Sequence, residues 1–503
     1  MTIRPSHPNI LLITTDQQRV ADVHAYGNKN IRTPNIDSLW QRGVAFQKAF
    51  VTTPLCMPSR ATILTGRYPH NHKVWTNGVP LPDNQPMLSS LLQSHGYQTM
   101  AIGKMHFTPT RANASPGFPE SFATWEEKDL SDWHGPYYGF EHVELTLGHH
   151  KPGGHYGAWL KKNHPEVLSC FNPPSEQENH VLDTWDSSIP LQCHASTWIA
   201  NKTIEILEQR DARPFFLWMS FPDPHHPFAP PQPYASMYPP NSMCTPQADA
   251  YEMSAAPPHV QEFFDGKILH EGTEHRIAPS QISHYELQQI TARTYGMITL
   301  VDDSIGHVLN YLNATGLNQN TIIIFGSDHG EFLGDHGLIY KGPYSYDSIV
   351  KVPYIWHIPP TINTTHHKTF STQLTGWIDF APTVLDFCDV ECPPTMQGRS
   401  LKPFLLGQST DDDGRQALLV EYLSGYDDRF AYKTIIKNDW KLTYYPKMPS
   451  EWGELYNLTR DPGEHRNYFH DANFADKKGE LLRELLKLIS ETDERYPQRL
   501  GHS

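Results

Sequence analysis

Four short apolar runs, each followed at once by charged or imidazole side chains, constrain the fold of this 503-residue chain more than any other feature. Each run is continuously apolar, as is typical of a strand buried on both faces of a parallel sheet. The runs cover residues 9–15, 97–103, 214–221 and 321–327, and helical patterns at 35–43, 87–95, 195–209 and 285–312 lie between them. This alternation predicts an α/β fold with a large, mostly parallel sheet sandwiched by helices.

The polar residues that follow the four runs predict one crevice. Open α/β sheets bind their ligands along the carboxyl edge of the strands. A single polar residue at a strand end is most often an ordinary turn residue, but four such ends together indicate a functional site. The residues concerned are Asp16, Lys104 and His106, His225, and Asp328 and His329.

A second, smaller domain is predicted at the C-terminus. Residues 411–414 read as a boundary, and strand-like runs at 417–422, 430–436 and 440–445 follow it with short turns between them. An amphipathic helical pattern at 478–492 closes the chain. These patterns predict a catalytic domain over residues 1–410 and a C-terminal α+β subdomain, built on an antiparallel sheet, over residues 411–503.

Composition excludes several classes of partner. The formal net charge is −15 and there is no run of Lys or Arg, which argues against nucleic acid and against an anionic membrane surface. No segment approaches the roughly 20 apolar residues that span a bilayer, and the N-terminus has no signal-peptide core, so a cytoplasmic location is expected unless a signal was removed. The six cysteines include no C-x-x-C pair, and a chain this large needs no disulfide framework.

The segment 53–67 carries the most specific motif of the chain. It reads as a loop that turns into a short helix, with Pro58 in the first turn, Gly66 as the stop and Cys56 just before the N-terminus. Free N–H groups at a helix N-terminus favour an anion, and Arg60, one turn along, can point back toward the same place. A lone Cys beside an Arg is more often structural, so the whole motif must be weighed.

Cys56-x-Pro58-Ser59-Arg60 followed by Leu64-Thr65-Gly66-Arg67 resembles the signature of the type I sulfatases, in the alkaline-phosphatase-like superfamily. The resemblance extends over nearly the whole chain, with further landmarks at residues 9–16, 103–106, 224–227, 327–330 and 455–464. It implies that a maturation enzyme oxidises Cys56 to formylglycine, whose hydrate is the nucleophile. One hydroxyl of the hydrate attacks sulfur, and the other then expels sulfate by re-forming the aldehyde.

The resemblance also implies a role for each residue of the crevice. Asp16, Gln17, Asp328 and His329 bind a metal together with the modified Cys56. Arg60 and His106 hold the formylglycine hydroxyls. Lys104, His225 and Lys341 bind sulfate, and His225 or Lys341 protonates the leaving alkoxide. The oxygen-rich donor set with one imidazole suits a hard divalent cation, with calcium first and manganese or magnesium next.

Three positions leave alternatives open. Most sulfatases have a second Asp where this chain has Gln17, and many have Asn where it has His329. The combination of Asp-Gln, as at residues 16–17, with Asp-His-Gly, as at residues 328–330, also occurs in relatives that hydrolyse phosphonate monoesters and phosphodiesters. Iduronate-type sulfatases, however, also use Asp-His-Gly. His225 and His226 compete for one role, which we assign to His225 because it follows Pro224 as the family's Pro-His step does.

The predicted substrate is a sulfated sugar. The long segments 107–197 and 228–283 should rim the crevice, and they are rich in Trp, Tyr, His and Asn. Aromatic faces stack on sugar rings while amides and imidazoles bond hydroxyls. The alternatives are an aryl or alkyl sulfate, a phosphonate or phosphodiester substrate, and a catalytically silent carbohydrate-binding relative, against which the intact Cys56 speaks. An oligomer is possible.

Overall fold

The computed structural model describes residues 7–149, 151–171, 183–246, 256–268, 278–362, 368–425, 427–448 and 452–493. Parts of both predicted rim segments, residues 1–6 of the predicted catalytic domain and residues 494–503 of the predicted C-terminal subdomain lie outside these ranges. Among the described residues, no helix is long and apolar enough to cross a membrane.

An eight-stranded mixed sheet forms the centre of the molecule. Its order is β4-β3-β5-β1-β6-β7-β2-β8, and only β7 runs antiparallel to its neighbours. The strands are β1 (Asn9–Thr15), β2 (Gly43–Phe50), β3 (Gln98–Gly103), β4 (His142–Leu147), β5 (Phe215–Ser220), β6 (Thr321–Ser327), β7 (Tyr354–His357) and β8 (Thr369–Gly376). The predicted α/β class with a mostly parallel sheet is confirmed.

Helices cover both faces of this sheet. The α-helices are α1 (Pro34–Gln41), α2 (Cys56–Thr65), α3 (Pro69–His72), α4 (Leu88–Ser94), α5 (Phe122–Glu127), α6 (Gly154–Asn163), α7 (Ala195–Gln209), α8 (Pro258–Phe264), α9 (His284–Thr315), α10 (Asp347–Val350), α11 (Phe380–Phe387), α12 (Lys402–Leu405) and α13 (Ala475–Thr492).

A separate four-stranded antiparallel sheet lies in the C-terminal part of the chain, in the order β12-β11-β10-β9. Its strands are β9 (Ala417–Tyr422), β10 (Tyr432–Lys437), β11 (Trp440–Tyr444) and β12 (Gly453–Asn457). Helix α13 packs against β9, β10 and β11. The predicted antiparallel sheet is therefore present, while the division at residue 410 stays a prediction.

Strand β1 shows why the apolar runs fold as they do. All seven of its residues are buried. Ile10 and Leu12 belong to the core on one face of the sheet, and Leu11 and Ile13 belong to the core on the other. Alternate side chains of a strand point to opposite faces, so a strand with helices on both sides needs apolar residues at every position.

A further apolar run at residues 352–357 predicts β7, whereas three strands of the main sheet, β2, β4 and β8, are absent from the sequence-based prediction. Strands β4 and β8 are the two edges of the sheet. An edge strand needs no continuous apolar run, and both carry polar residues, such as Glu144 in β4 and Gln373 in β8. Helix α6, in the same polar segment as β4, was not predicted either.

Candidate active site

Four adjacent strands place the predicted residues at one edge of the sheet. Strands β3, β5, β1 and β6 are neighbours and all parallel, so their carboxyl ends lie side by side. Asp16, Lys104 and Asp328 follow β1, β3 and β6 directly, and His225 lies in the loop after β5. The structure therefore brings these residues together in the crevice that the sequence predicts.

Helix α2 brings Cys56 and Arg60 into this crevice. The helix begins at Cys56 itself, one position earlier than expected, and ends at Gly66 in a left-handed conformation with φ of 63°. All ten residues of α2 are buried. A side chain on Gly66 would be strained at that φ and would meet Met396 and Pro382 at 3.3 Å.

Asp16, Cys56, Asp328 and His329 form a buried group whose potential ligand atoms all lie within 4.8 Å of one another. The Cys56 Sγ is 3.1 Å from His329 Nε2 and 3.8 Å from Asp16 Oδ1. His329 Nε2 is 3.7 Å from Asp16 Oδ1 and 3.7 Å from Asp328 Oδ1. Four donors of N, O and S type thus surround one point.

The tautomer of His329 suits a metal ligand. Its Nδ1 lies 2.9 Å from the carbonyl oxygen of Gly330, which can only accept a hydrogen bond. Nδ1 therefore carries the proton, and Nε2 turns its lone pair toward Asp16 and Cys56. Burial lowers the pKa of His329, which favours this neutral form.

Arg60 joins the two carboxylates of the group. It is fully buried, its Nε donates to Asp328 Oδ2 at 2.8 Å, and a terminal nitrogen lies 3.5 Å from Asp16 Oδ2. Burial alone would lower the pKa of Arg60, but the charges of Asp328 and Asp16 outweigh it and raise that pKa. The guanidinium is therefore a fixed positive charge behind the site.

Two lysines approach from other sides. Lys104 Nζ forms an ion pair with Asp16 Oδ2 and lies 3.2 Å from His149 Nε2. Lys341 Nζ donates to Gln17 Oε1 at 2.6 Å. Burial alone would raise the pKa of Asp16, but the charges of Lys104, Arg60 and Lys341 hold it well below its usual value.

Gln17 lies apart from the four-residue group by its side-chain contacts. Its Oε1 accepts from Lys341, and its Nε2 contacts Glu331 Oε2 and lies 3.2 Å from His226 Nδ1. Its main-chain N donates to Asp328 Oδ1 at 3.1 Å. Gln17 Oε1 keeps a second lone pair, so its predicted role as a ligand stays a prediction.

His106 presents a free nitrogen. Its φ of 59° is unusual for a residue with a side chain, and its main-chain N donates to the buried Glu120. The Nδ1 is buried without a hydrogen-bond partner among the described residues. Burial and the charges of Lys104 and Arg60 lower the pKa of His106 well below its usual value, so the ring is neutral.

His225 and His226 differ in where they point. His226 is buried, contacts Gln17 and packs edge-on against Tyr340 at 4.5 Å between ring centres. His225 Nδ1 donates to the carbonyl oxygen of His226 at 2.7 Å, and its ring lines a cavity beside the site. This placement supports the assignment of substrate contact to His225, which stays a prediction.

That cavity has a volume of about 60 Å³ and is partly open to solvent. Its walls come from the end of β4, helix α6, the segment before α7 and the loop after β5. Aromatic and polar side chains line it together, among them His149, Tyr156, Trp185, His194, Asp223 and His225.

Three residues near the site were missed by the sequence analysis. Glu331 holds the Gln17 amide and accepts from the main chain of Leu333 and Tyr340, while Glu120 accepts from three consecutive main-chain N–H groups, at residues 106–108. Glu331 comes right after Asp328-His329-Gly330, so proximity could have indicated it. His149 follows an edge strand that was not predicted, and Glu120 carried no signal.

A second group of potential ligands, His134, Glu144 and His155, does not fit a metal. His155 Nδ1 accepts from the main-chain N of Leu145 at 2.9 Å, and its Nε2 donates to the carbonyl of Trp133 at 2.6 Å. Both nitrogens are therefore in use. Glu144 Oε1 lies 3.3 Å from His134 Nδ1 and 3.5 Å from His142 Nε2, so this carboxylate oxygen already has two imidazole neighbours.

Comparison with known families agrees with this geometry. The Sulfatase family model matches residues 8–390, and the model for the C-terminal part of N-sulphoglucosamine sulphohydrolase matches residues 334–491.

Individual relatives cover nearly the whole chain. An N-acetylglucosamine-6-O-sulfatase of Bacteroides thetaiotaomicron is 27% identical over 97% of this chain and 87% of its own length. The multifunctional alkaline phosphatase superfamily protein PehA of Trinickia caryophylli is 30% identical over 93% of this chain and 92% of its own. The crystal structure of a phosphonate monoester hydrolase of Agrobacterium radiobacter matches with a TM-score of 0.82 and 27% identity, covering 97% of this chain and 96% of that one.

Proposed function

The chain belongs to the sulfatase family and is a sulfuric ester hydrolase, and we propose that it removes sulfate from a sulfated carbohydrate. In this proposal a formylglycine made from Cys56 by a maturation enzyme is the nucleophile, and a divalent cation, calcium first, lies beside it. The observation that carries the proposal is the convergence of Asp16, Cys56, Asp328 and His329 on one buried point, ringed by fixed cations.

The four residues suit a divalent cation. Two carboxylates approach one point from neighbouring strand ends, and the His329 lone pair is aimed there by the bond from Nδ1 to Gly330. Arg60 and Lys104 pair with the Oδ2 atoms of the carboxylates, whereas Asp16 Oδ1 and Asp328 Oδ1 each lie 3.7 Å from His329 Nε2. A cation held there would stabilise negative charge that develops on the sulfate oxygens.

An unmodified Cys56 is a poor nucleophile in this environment. Burial and the negative charge of Asp16 raise the pKa of its thiol to about 11, so the thiol is protonated at neutral pH in the absence of a cation. A thiolate would also lack the second oxygen that a formylglycine hydrate supplies for release of sulfate. Both points favour the modified residue.

Lys104, Lys341 and Arg60 supply the positive charge that a sulfate ester needs. Lys104 pairs with Asp16 and Lys341 donates to Gln17, and each ammonium has at least one further proton to donate. Donors fixed before the reaction stabilise charge on the transferring group without reorganisation. We assign sulfate binding to these two lysines.

Lys341, rather than His225, is the group we assign to protonate the leaving oxygen. Burial and the charge of His226 lower the pKa of His225, and its Nδ1 proton is used by the His226 carbonyl, so its Nε2 carries no proton at neutral pH. Burial alone would lower the pKa of Lys341, but nearby Cys56, Asp16 and Asp328 raise it. The ammonium therefore has the proton, while His225 Nε2 can accept from a substrate hydroxyl.

The cavity beside His225 supports a sugar as the alcohol. It mixes aromatic walls (Tyr156, Trp185) with hydrogen-bonding groups (His194, Asp223), which is the combination that a sugar ring uses. The relative named as an N-acetylglucosamine-6-O-sulfatase points to the same class of substrate.

A second candidate function is hydrolysis of a phosphonate monoester or phosphodiester. The likeness to a phosphonate monoester hydrolase favours it, as do Gln17 and His329. Both reactions place a tetrahedral anion among the same cations, so the geometry of the charged group is common to them.

A substrate panel decides between the candidates. Sulfated mono- and oligosaccharides, an aryl sulfate, a phosphonate monoester and a phosphodiester are assayed under one condition, with Cys56→Ala as the inactive control. We expect the highest kcat/KM for a sulfated sugar. A faster phosphonate or phosphodiester reaction would favour the second candidate, and efficient cleavage of the aryl sulfate with no sugar sulfate cleaved would refute the sugar assignment.

A further inference from the structure

His149 occupies a place in the site that no sequence motif marks. It lies two residues after β4, the strand next to β3, and β3 leads directly to Lys104. Neighbouring parallel strands end at the same edge of a sheet, so the end of β4 lies beside Lys104. The position of His149 is thus fixed by the sheet.

The edge of the His149 ring meets Lys104. The distance from His149 Nε2 to Lys104 Nζ is 3.2 Å. An ammonium group can only donate, so Nε2 must offer its lone pair and the ring is neutral in this arrangement. Together with the ion pair to Asp16, this bond fixes two of the three N–H directions of Lys104, which leaves one for the substrate.

The face of the same ring meets His225. The two ring centres are 4.0 Å apart and the planes differ by 11°, so the rings stack. His226 lies against His225 at 3.9 Å between ring centres, with 31° between the planes. His225 is therefore held by both neighbouring rings and by its bond to the His226 carbonyl.

We propose that His149 is a positioning residue of the reaction centre, which orients Lys104 through Nε2 and His225 through its ring face. The inference rests on the proposed roles of Lys104 and His225 in binding the substrate. It also gives His149 a part in selecting the alcohol, because its side chain lines the cavity next to His225.

Three substitutions separate the two contacts. His149→Ala removes both. His149→Gln keeps an acceptor near the place of Nε2 but removes the ring, and His149→Phe keeps a ring but removes the acceptor. We expect His149→Ala to lower kcat/KM by about 10²-fold, the loss that a displacement of about 1 Å can cause. We expect the KM of His149→Gln to lie closer to the wild-type value than the KM of His149→Ala does. The KM of His149→Phe should stay as high as that of His149→Ala.

The measurements use the full-length mature enzyme and whichever ester the wild type cleaves fastest. The substrate panel on the wild type tests the proposed function, whereas the ratios of variant to wild type test His149, so the two can fail separately. The melting temperature of each variant and the exposed-surface control His95→Ala exclude a general loss of fold.

Three results would overturn the proposal for a folded set of variants. They are a kcat/KM of His149→Ala within about twofold of wild type, equal losses in all three variants, and a KM restored by Phe but not by Gln.

Discussion

At the scale of single residues, the site depends on charges whose positions are fixed by burial. Asp16, Arg60 and Asp328 have no exposed surface, and Arg60 bonds to both carboxylates. A buried charge is tolerated only where partners surround it. The residue-level consequences therefore concern which group carries a proton and what neutralises the carboxylates.

Substitution of Lys341 by Ala should reduce turnover more for poor leaving groups than for good ones. A sugar alkoxide needs a proton as it leaves, whereas a nitrophenolate does not, so loss of a general acid is felt mainly by the sugar ester. We expect the ratio of the two kcat/KM values to change by about 10²-fold or more. The kinetics of sugar sulfate and aryl sulfate cleavage measure it.

Lys104→Ala is the matched control, and it should lower both rates by similar factors, because both esters carry the sulfate group that Lys104 is proposed to bind. Equal losses for the sugar ester and the aryl ester in Lys341→Ala would contradict the assignment of the proton to Lys341.

Removal of a bound divalent cation should lower both activity and melting temperature. An ion that binds only the native state at 100 times its Kd stabilises that state by about 2.7 kcal/mol. Thermal unfolding with and without a chelator measures this loss, and calcium, manganese and magnesium are then added back in turn.

The variant Asp328→Asn tests whether the cation binds at this site, because a neutral amide replaces one of the two buried carboxylates there. Its melting temperature should respond little to the chelator. An equal response in wild type and Asp328→Asn would place the cation elsewhere.

At the scale of elements, the buried strands and the longest helices follow from the sequence. The bounds of β1, β6 and α7 agree with the patterns that predict them. Edge strands β4 and β8 could not be predicted, because a strand at the edge of a sheet has only one neighbouring strand and tolerates polar residues. His149 was missed for the same reason, since it follows β4.

The site residues that could be predicted are those with a strong local signal. Asp16 and Asp328 end continuous apolar runs, and Cys56 lies in a specific motif. The contacts of Gln17 with Lys341 and Glu331 join positions more than 300 residues apart in the chain, and no local pattern encodes them.

One loop between the two sheets connects the C-terminal strands to the site. This loop comprises residues 341–347, with Lys341 as its first residue. Lys441 of β11 donates to the Ser345 carbonyl of the loop at 2.9 Å. Lys441 is fully buried and also pairs with Asp347 at 2.5 Å and with Glu464 at 2.6 Å. The antiparallel sheet thus holds the loop that presents Lys341.

Lys441→Ala should therefore destabilise the protein strongly. Breaking a buried ion pair leaves uncompensated charge and costs about 3–5 kcal/mol. The free energy of unfolding from a urea titration measures this cost.

Lys447→Ala is the control at the surface. Its partner is Asp428 at 2.6 Å, both side chains are more than half exposed, and such a pair contributes roughly 0–1 kcal/mol. Equal small losses in Lys441→Ala and Lys447→Ala would contradict the account of the loop.

At the scale of the whole molecule, one buried carboxylate joins the C-terminal sheet to helix α3. Glu421 of β9 accepts hydrogen bonds from the main-chain N and the Nδ1 of His70 in α3, and it pairs with Lys433 of β10. Burial alone would raise the pKa of Glu421, but His70 and Lys433 outweigh it and lower that pKa to about 2.

This lowered pKa predicts the pH range in which Glu421 stabilises the protein. The carboxylate contributes above its unfolded pKa of 4.5, and the contribution is lost as pH falls from there toward about 2. Glu421→Gln should cost roughly 3 kcal/mol at pH 7, at about 1.4 kcal/mol per pKa unit. Unfolding free energies of wild type and variant should converge as the pH is lowered, and a difference independent of pH would contradict the assignment.

The central claim is that a formylglycine at position 56 is the nucleophile of a sulfuric ester hydrolase. Peptide mass spectrometry of active protein, with turnover measured on the same sample, tests it most directly. We predict that the fraction of chains with formylglycine at position 56 matches the fraction that is active, and that chains with a thiol at Cys56 are inactive. Full activity in a sample that carries only the thiol would contradict the account.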